Sequence, residues 1–318
     1  MARDLMRDRA ADIDAILATI VQATPDIITL HDVDWDAGLV AATAFQTRLA
    51  RSGWDMPHLV ARRPNSGMAT GLDMDGDGRV GRARDAQGYG LFSGAGGMIM
   101  LSRYPILSVD DYSDVLWSGL AWARLPRVDG APFPSARAQG AQRLSSVGHW
   151  AVAIDTPGAP VTVLTHHATP PVFDGPEDRN GLRNRDELLF WARWAETMET
   201  GAYVLAAVTN LDAKRGDGLR DAWAALAPHF QDVAPKSADA DGVPSDVTAR
   251  FEQPGPLRTT HVLPATGCPV TGSGLIWPEE PRGLGDRRFT RHALVYVDMV
   301  PDGCGERGAG IGALAVGQ

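Results

Sequence analysis

The 318 residues are 44% hydrophobic and 22% charged, an ordinary globular balance with material for a large core. A formal charge of −9 argues against a basic nucleic-acid groove, and nothing approaches the ~20 apolar residues of a membrane span. Cys268 and Cys304 are too few for a disulfide framework and lack metal-ligand spacing; two unpaired thiols is the preferred reading, with one bridge as the alternative.

The N-terminus is charged and amphipathic, with no signal-peptide core. Helical spacing of Ile13, Leu17, Ile20 and Val21 predicts a helix from Ala10 to Gln22, ended by Pro25. Asp26 to Leu30 reads as a strand running into HDVDWD, Ala41 to Leu49 as a helix, and Gly53 to Arg62 as irregular. Residues 64–90 form a Gly/Asp/Arg loop long enough to be functional or disordered. Gly96 to Ile106 predicts a buried strand, and Asp110 to Arg143 a Pro/Ala/Arg-rich peripheral segment. His149 to Asp155 and Val161 to His167 predict a hairpin across TPGAP.

Beyond His166 and His167, Pro170 and Pro171 turn the chain away from helix and central strand. A loop dense in Asp, Glu, Arg and Asn then closes into a helix that buries Leu188, Leu189 and Trp191, with Trp194 beyond. Tyr203 to Ala213 is a further buried strand, residues 234–256 a polar loop, and THVLP, SGLIW and HALVYVDMV the last strands. Residues 303–318 have the composition of a flexible Gly/Ala-rich tail, leaving one domain over 1–302.

Several of these strands end in carboxylates, imidazoles or amides: Asp32 and Asp34, His167, Asn210 and Asp212, and His292. Hard oxygen ligands beside imidazoles suit Mg²⁺- or Mn²⁺-assisted hydrolysis of a phosphoester, in which a cation neutralises phosphoryl oxygens and an imidazole or carboxylate activates water.

The segments LHDVDWD, GGMIMLSRYPI, LTHHATPPVFDGPEDRNG, LAAVTNLDAKRGDG and TRHALVYVD resemble, in kind and order, the endonuclease/exonuclease/phosphatase (DNase I-like) superfamily, in a bacterial branch with the HxTPPVFDGPEDRNG loop. The resemblance implies a four-layered α/β sandwich of two packed mixed β-sheets flanked by helices, with the active site at one edge. It implies a divalent-metal-dependent phosphoesterase acting on nucleic acid or a small phosphoester. The acidic charge leans towards the small molecule, and neither a membrane nor a protein partner is indicated.

Residue by residue, the resemblance places Asp32 at the family's metal-binding Glu and His167 at the strand-end His that contacts the scissile phosphate. Asn210 falls on the Asn of Gly-Asp-x-Asn, and His292 on the final His acting on water or phosphoryl oxygens. The departures are Val208 at the nucleophile-activating Asp, Thr260 at the Asp that orients the final His, and Arg291 where an Asp often precedes it. Asp212 is a possible metal ligand, although four residues along a strand from Val208 is about twice the ~7 Å that returns the same face. The family's first strand is expected before the opening helix, so the domain reads as N-terminally truncated, cytoplasmic as it stands and exported if a leader precedes Met1. The expected result is a weakened hydrolase, with a catalytically inactive binding protein as the alternative.

Asp73, Asp75, Asp77 and Gly78 reproduce half of a calcium loop, with Arg84 at the twelfth position and Asp85 after it, so a structural Ca²⁺ is the second expected ion. Arg179 and Arg183 are candidate phosphate contacts, weighed against salt bridges to Glu177, Asp178 and Asp186. His166 reads as a hydrogen-bonded strand residue, and His149 either faces the site edge or caps a turn.

Overall fold

The computed structural model describes residues 11–198, 201–237, 246–279 and 290–305. The first half contains α1 (Ala11–Ala23), β1 (Ile27–Val33), α2 (Val40–Arg51), β2 (His58–Ala61) and β3 (Gly97–Ser102). β1 and β2 both pair antiparallel with β3. The stretch expected to be irregular after Gly53 therefore contains an edge strand. β2 has no alternation of its own and forms because β3 offers it an unpaired edge.

The second half follows with β4 (Ile106–Asp111), β5 (His149–Ile154), β6 (Val161–His166), α3 (Arg179–Glu196), β7 (Ala202–Val208), α4 (Asp221–Leu226), β8 (Thr260–Pro264), β9 (Val270–Ile276) and β10 (Leu294–Met299). β4 to β8 form one sheet in sequence order, antiparallel except for β6 and β7, which run parallel because α3 carries the chain back between them. The expected hairpin is present, with His149 opposite His166. β9 and β10 form a two-stranded ladder.

Side-chain alternation builds the layers. In β3, Ile99 and Leu101 pack with Leu17, Ile20, Phe45 and Leu49 of α1 and α2, while Met98 and Met100 face Trp150, Val152, Val163 and Val204 of the larger sheet. On that sheet's far face Leu164, Leu205 and Leu263 pack against Leu188, Trp191 and Ala195 of α3 and Leu226 of α4. The result is the expected α/β sandwich of four layers; among the described residues the smaller sheet is wholly antiparallel and only the larger one mixed.

Two expectations are corrected. The segment from Asp110 to Arg143 is tied into the body: β4 runs through Asp111, and Trp117 is 1% exposed with its indole N–H donating to Asp186. Cys268 and Cys304 are joined by a disulfide, because the turn after β8 and the exit of β10 bring their Cα atoms within 4.1 Å. The rest of the expected tail, residues 306–318, lies outside the described residues.

The long loop keeps its place by polar anchoring. The Asn65 amide donates to the carbonyls of Ser113 and Ser145, and Gln87 bonds the backbone at Ala141 and Arg143. Gly88 passes so close to Ser146 that a Cβ would lie 1.8 Å from its carbonyl oxygen, so no other residue fits there.

Candidate active site

One face of each sheet ends in the cleft between them. In β1 the residues Ile28 and Leu30 pack towards the helices and Ile27 towards the larger sheet, so alternation sends His31 into the cleft. The pairing of β1 with β3 slips between His31 and Val33, and Asp32 is the extra residue, in a left-handed conformation at φ 61°. On the larger sheet His167, Val208 and Thr260 lie in one row, since Val208 is bridged to His167 and paired with Thr260. Each continues the inter-sheet face of Val163, Val204 and Val262. His292 enters from the start of β10, and its Nδ1 meets the Thr260 hydroxyl at 2.9 Å.

The His31 and His167 rings stand 5.6 Å apart, edge to face, and both interact electrostatically with His292. Burial, then the charges of His167 and His292, push the His31 imidazole well below its ordinary 6.5. Burial, then His292, lowers His167 to about 4, and burial, then Arg291, lowers His292 to about 4. All three rings are neutral at pH 7. Asn210, at φ 50°, donates its amide to the Ala168 carbonyl at 2.7 Å, beside His167. Thus His167, Asn210 and His292, expected to act together, meet at one edge.

Asp32 sits on the bulge next to His31 but is exposed, and its pKa is raised by partial burial and by Asp34. Asp212 lies elsewhere. Its carboxylate accepts the N–H groups of Lys214, Arg215 and Arg258 and the Arg215 guanidinium, so it caps a turn and is not aimed at the edge. Arg183 is 3% exposed and donates to the carbonyls of Leu144, Gln87, Arg143 and Ser145, which removes it as a phosphate contact. Arg179 is half-buried and donates to the Gln142 side chain. Among the described residues neither arginine makes the acidic salt bridges weighed as the alternative, but Arg185, weighed with them, does: it bridges Asp186 and Asp221.

In the Asp-rich loop, carboxylate oxygens of Asp73, Asp75 and Asp85 lie within 4.8 Å of one another. Asp77 leaves the group and pairs with Arg82 at 3.0 Å. Asp85 is buried, with its oxygens accepting the N–H groups of Met74 and Arg82.

Of the other histidines, His149, His166 and His261 belong to the core. His166 Nδ1 accepts the Trp191 indole N–H at 2.9 Å, as a strand residue on the opposite face from His167 should. His149 faces the helix layer, donating to the Glu187 carbonyl at 3.0 Å and stacking on Trp191. Burial lowers His149 from 6.5 to about 4, helped by Arg183 and opposed by its hydrogen bond to Glu187. An unfolded chain takes up this proton near pH 6.5 and the folded one only near 4, so stability is lost as pH falls between the two. The expected loss is roughly 3 kcal/mol for this one ring. Denaturation midpoints measured from pH 7 to 4 check it: His149→Gln should flatten the profile by about one proton.

His31 was not anticipated as a site residue. The signal was available: counting by twos back to Ile27 puts position 31, and not 32, on the inter-sheet face.

No protein-family model and no curated protein matches the sequence. Solved structures do match its shape. An endonuclease/exonuclease/phosphatase from Beutenbergia cavernae superposes with a TM-score of 0.59 at 17% identity, covering 92% of this chain and 67% of that one. A family protein from Leptotrichia buccalis gives 0.51 at 14% identity over 92% and 94% of the two chains. D. rerio TDP2, complexed with single strand DNA product, gives 0.50 at 11% identity over 91% of each. The chain is built on the endonuclease/exonuclease/phosphatase, DNase I-like fold, and the resemblance read from its motifs holds at that level. Among the described residues no helix is long and apolar enough to cross a membrane.

Proposed function

We propose that the chain hydrolyses a phosphoester, slowly, at the cleft edge formed by His31, His167, Asn210 and His292. The observation that supports this is the convergence there of three neutral imidazoles and one amide from separate strand ends. In this reading His167 and Asn210 position the phosphate, and His292, its ring held by Thr260, assists water or the leaving oxygen. The D. rerio neighbour is complexed with DNA, and this chain carries −9, so nucleic acid and a small phosphoester both stand as substrates.

Mg²⁺ or Mn²⁺ needs several oxygen ligands. At this edge Asp32 and Asp34 are both exposed, with Asp34 accepting the Gly96 N–H, Asp212 is closed by four donors, and Val208 and Thr260 supply no carboxylate. The residues present do not fit an oxygen-ligated Mg²⁺ centre. Low turnover follows, because an oriented general base is worth ~10²–10⁴-fold and Val208 is not one.

The second reading, a binding protein without catalysis, is favoured by that same row, which has no carboxylate between His167 and His292. Hydrolysis of a chromogenic phosphodiester separates the two. Slow turnover that falls ~10²-fold or more in His167→Ala and His292→Ala, and less in Asp32→Ala, is the expected outcome. Turnover indifferent to both histidines removes the site, and none under any divalent ion leaves the binding reading.

A structural Ca²⁺ on Asp73, Asp75 and Asp85 is supported by the grouping of their carboxylate oxygens. Millimolar Ca²⁺ is expected to raise the thermal midpoint, and Asp85→Asn to abolish the rise; a calorimetric scan reads both. An exported location is supported by the Cys268–Cys304 bond, since such bonds persist in oxidising compartments.

A further inference from the structure

We infer that the turn from Tyr89 to Phe92, rooted beside the cleft edge, is a docking tip for a zwitterionic phospholipid surface. The inference goes beyond phosphoester hydrolysis and does not depend on it.

Three large apolar side chains over four residues stand in water. Tyr89 is 69% exposed, Leu91 83% and Phe92 53%. The backbone that carries them is tied down. The Gly67 N–H donates to the Gly88 carbonyl at 2.9 Å, the Ala95 N–H to the Phe92 carbonyl at 3.1 Å, and the Trp35 N–H to the Gly94 carbonyl at 2.7 Å. Two turns also touch backbone to backbone. A Cβ on Gly67 would lie 1.8 Å from the Phe92 carbonyl oxygen, and one on Gly90 would lie 2.5 Å from the Gly67 nitrogen. Folding has therefore fixed this turn, and little conformational entropy is left to lose on docking. A rigid frame that holds three apolar side chains in water marks an interaction surface.

The root places the tip. The Gly96 N–H donates to Asp34 at 3.2 Å, and a Cβ on Gly96 would lie 2.9 Å from Asp32 Oδ1. The turn thus grows from the bulge that follows His31.

Size decides against a protein partner. The three side chains expose roughly 400 Å², against the ~800 Å² per partner that a stable interface buries. The exposed residues Arg62, Arg63 and Ser93 around them are polar. Insertion of a few side chains into the headgroup boundary needs no such area, and a tyrosine ring with a polar tip suits that depth. Charge chooses the lipid. The −9 of the chain, with Asp32 and Asp34 exposed beside the tip, opposes a strongly anionic surface. Arg62 and Arg63 make no ion pair among the described residues: Arg62 donates to the Ala61 carbonyl at 3.2 Å and Arg63 to the Ser93 hydroxyl at 2.8 Å. Their remaining N–H groups suit the phosphates of a zwitterionic headgroup. The contact is peripheral, since no described helix is long and apolar enough to span a bilayer.

The test is sedimentation of the full chain with sucrose-loaded phosphatidylcholine vesicles. Binding is expected, and it should persist in ~0.5 M salt, because apolar burial rather than screened charge holds it. Leu91→Asp should weaken it about 10-fold or more, and Leu91→Trp should strengthen it. Leu107→Asp, at a 56% exposed position on β4, should leave it unchanged.

Binding unchanged in Leu91→Asp, or lost equally in Leu107→Asp, overturns the tip, as does the absence of binding. Binding confined to phosphatidylglycerol vesicles and lost in salt overturns it in favour of adsorption by charge. A dimer that Leu91→Asp splits, read by sedimentation equilibrium, overturns it in favour of a second copy. Vesicle binding by a protein that hydrolyses nothing keeps the tip and removes the hydrolase; hydrolysis without vesicle binding does the reverse.

Discussion

Replacing Arg183 with methionine is expected to cost the fold about 3–5 kcal/mol, read as a lowered midpoint in guanidinium denaturation. The guanidinium is 3% exposed and donates to four backbone carbonyls, those of Leu144, Gln87, Arg143 and Ser145. Methionine fills the volume but leaves those acceptors dry. It also strips the nearest positive charge from Glu187, a fully buried carboxyl whose pKa burial already raises, against the opposing pull of Arg183 and the N–H groups of Thr169 and Ser146. Arg183→Lys should recover little, since one ammonium cannot reproduce the planar fork. A variant as stable as the parent would mean that the long loop is not held by this group.

The largest functional effect is expected from Val208→Asp. Val208 lies between His167 and Thr260 on the inter-sheet face, where the resemblance expects the carboxylate that activates the nucleophile. An aspartate there would supply an oxygen ligand and a base beside His167, and hydrolysis of a generic phosphodiester with Mg²⁺ should rise ~10²-fold or more. Val208 is 6% exposed, so the variant will be less stable; Val208→Asn matches its bulk without the charge and should gain nothing. Equal rates in the parent, the Asp and the Asn variants would remove the view that turnover is limited by this one missing group.

The layers were legible because they rest on periodicity. The runs at Gly97–Ser102, His149–Ile154, Val161–His166 and Ala202–Val208 are apolar enough to be strands in any setting, and α3 shows its buried face in Leu188, Leu189 and Trp191. β2 was missed because four residues carry no pattern, and its identity comes from β3 alone. The meeting of His167, Asn210 and His292 was readable from the order of the motifs. The role of His31 was masked by the bulge: matching motifs draws attention to the carboxylate at 32, while the pleat decides that 31 looks inward. Arg183, Asn184, Asp186 and Glu187 look like a solvated charged face in sequence and are all buried, since their partners come from turns far along the chain. The pairing of Cys268 with Cys304 depends on the same kind of distant juxtaposition.

The side-chain amide of Asn184 donates to the carbonyls of both Thr169 and Thr209, each at 2.8 Å, just past the ends of β6 and β7. One planar group thereby rivets two neighbouring strand exits at a fixed separation. His167 and Asn210 form a stationary jaw, with His292 fastened to the same sheet through Thr260, so any tightening around an occupant must come from the opposite jaw, where His31 sits on the smaller sheet.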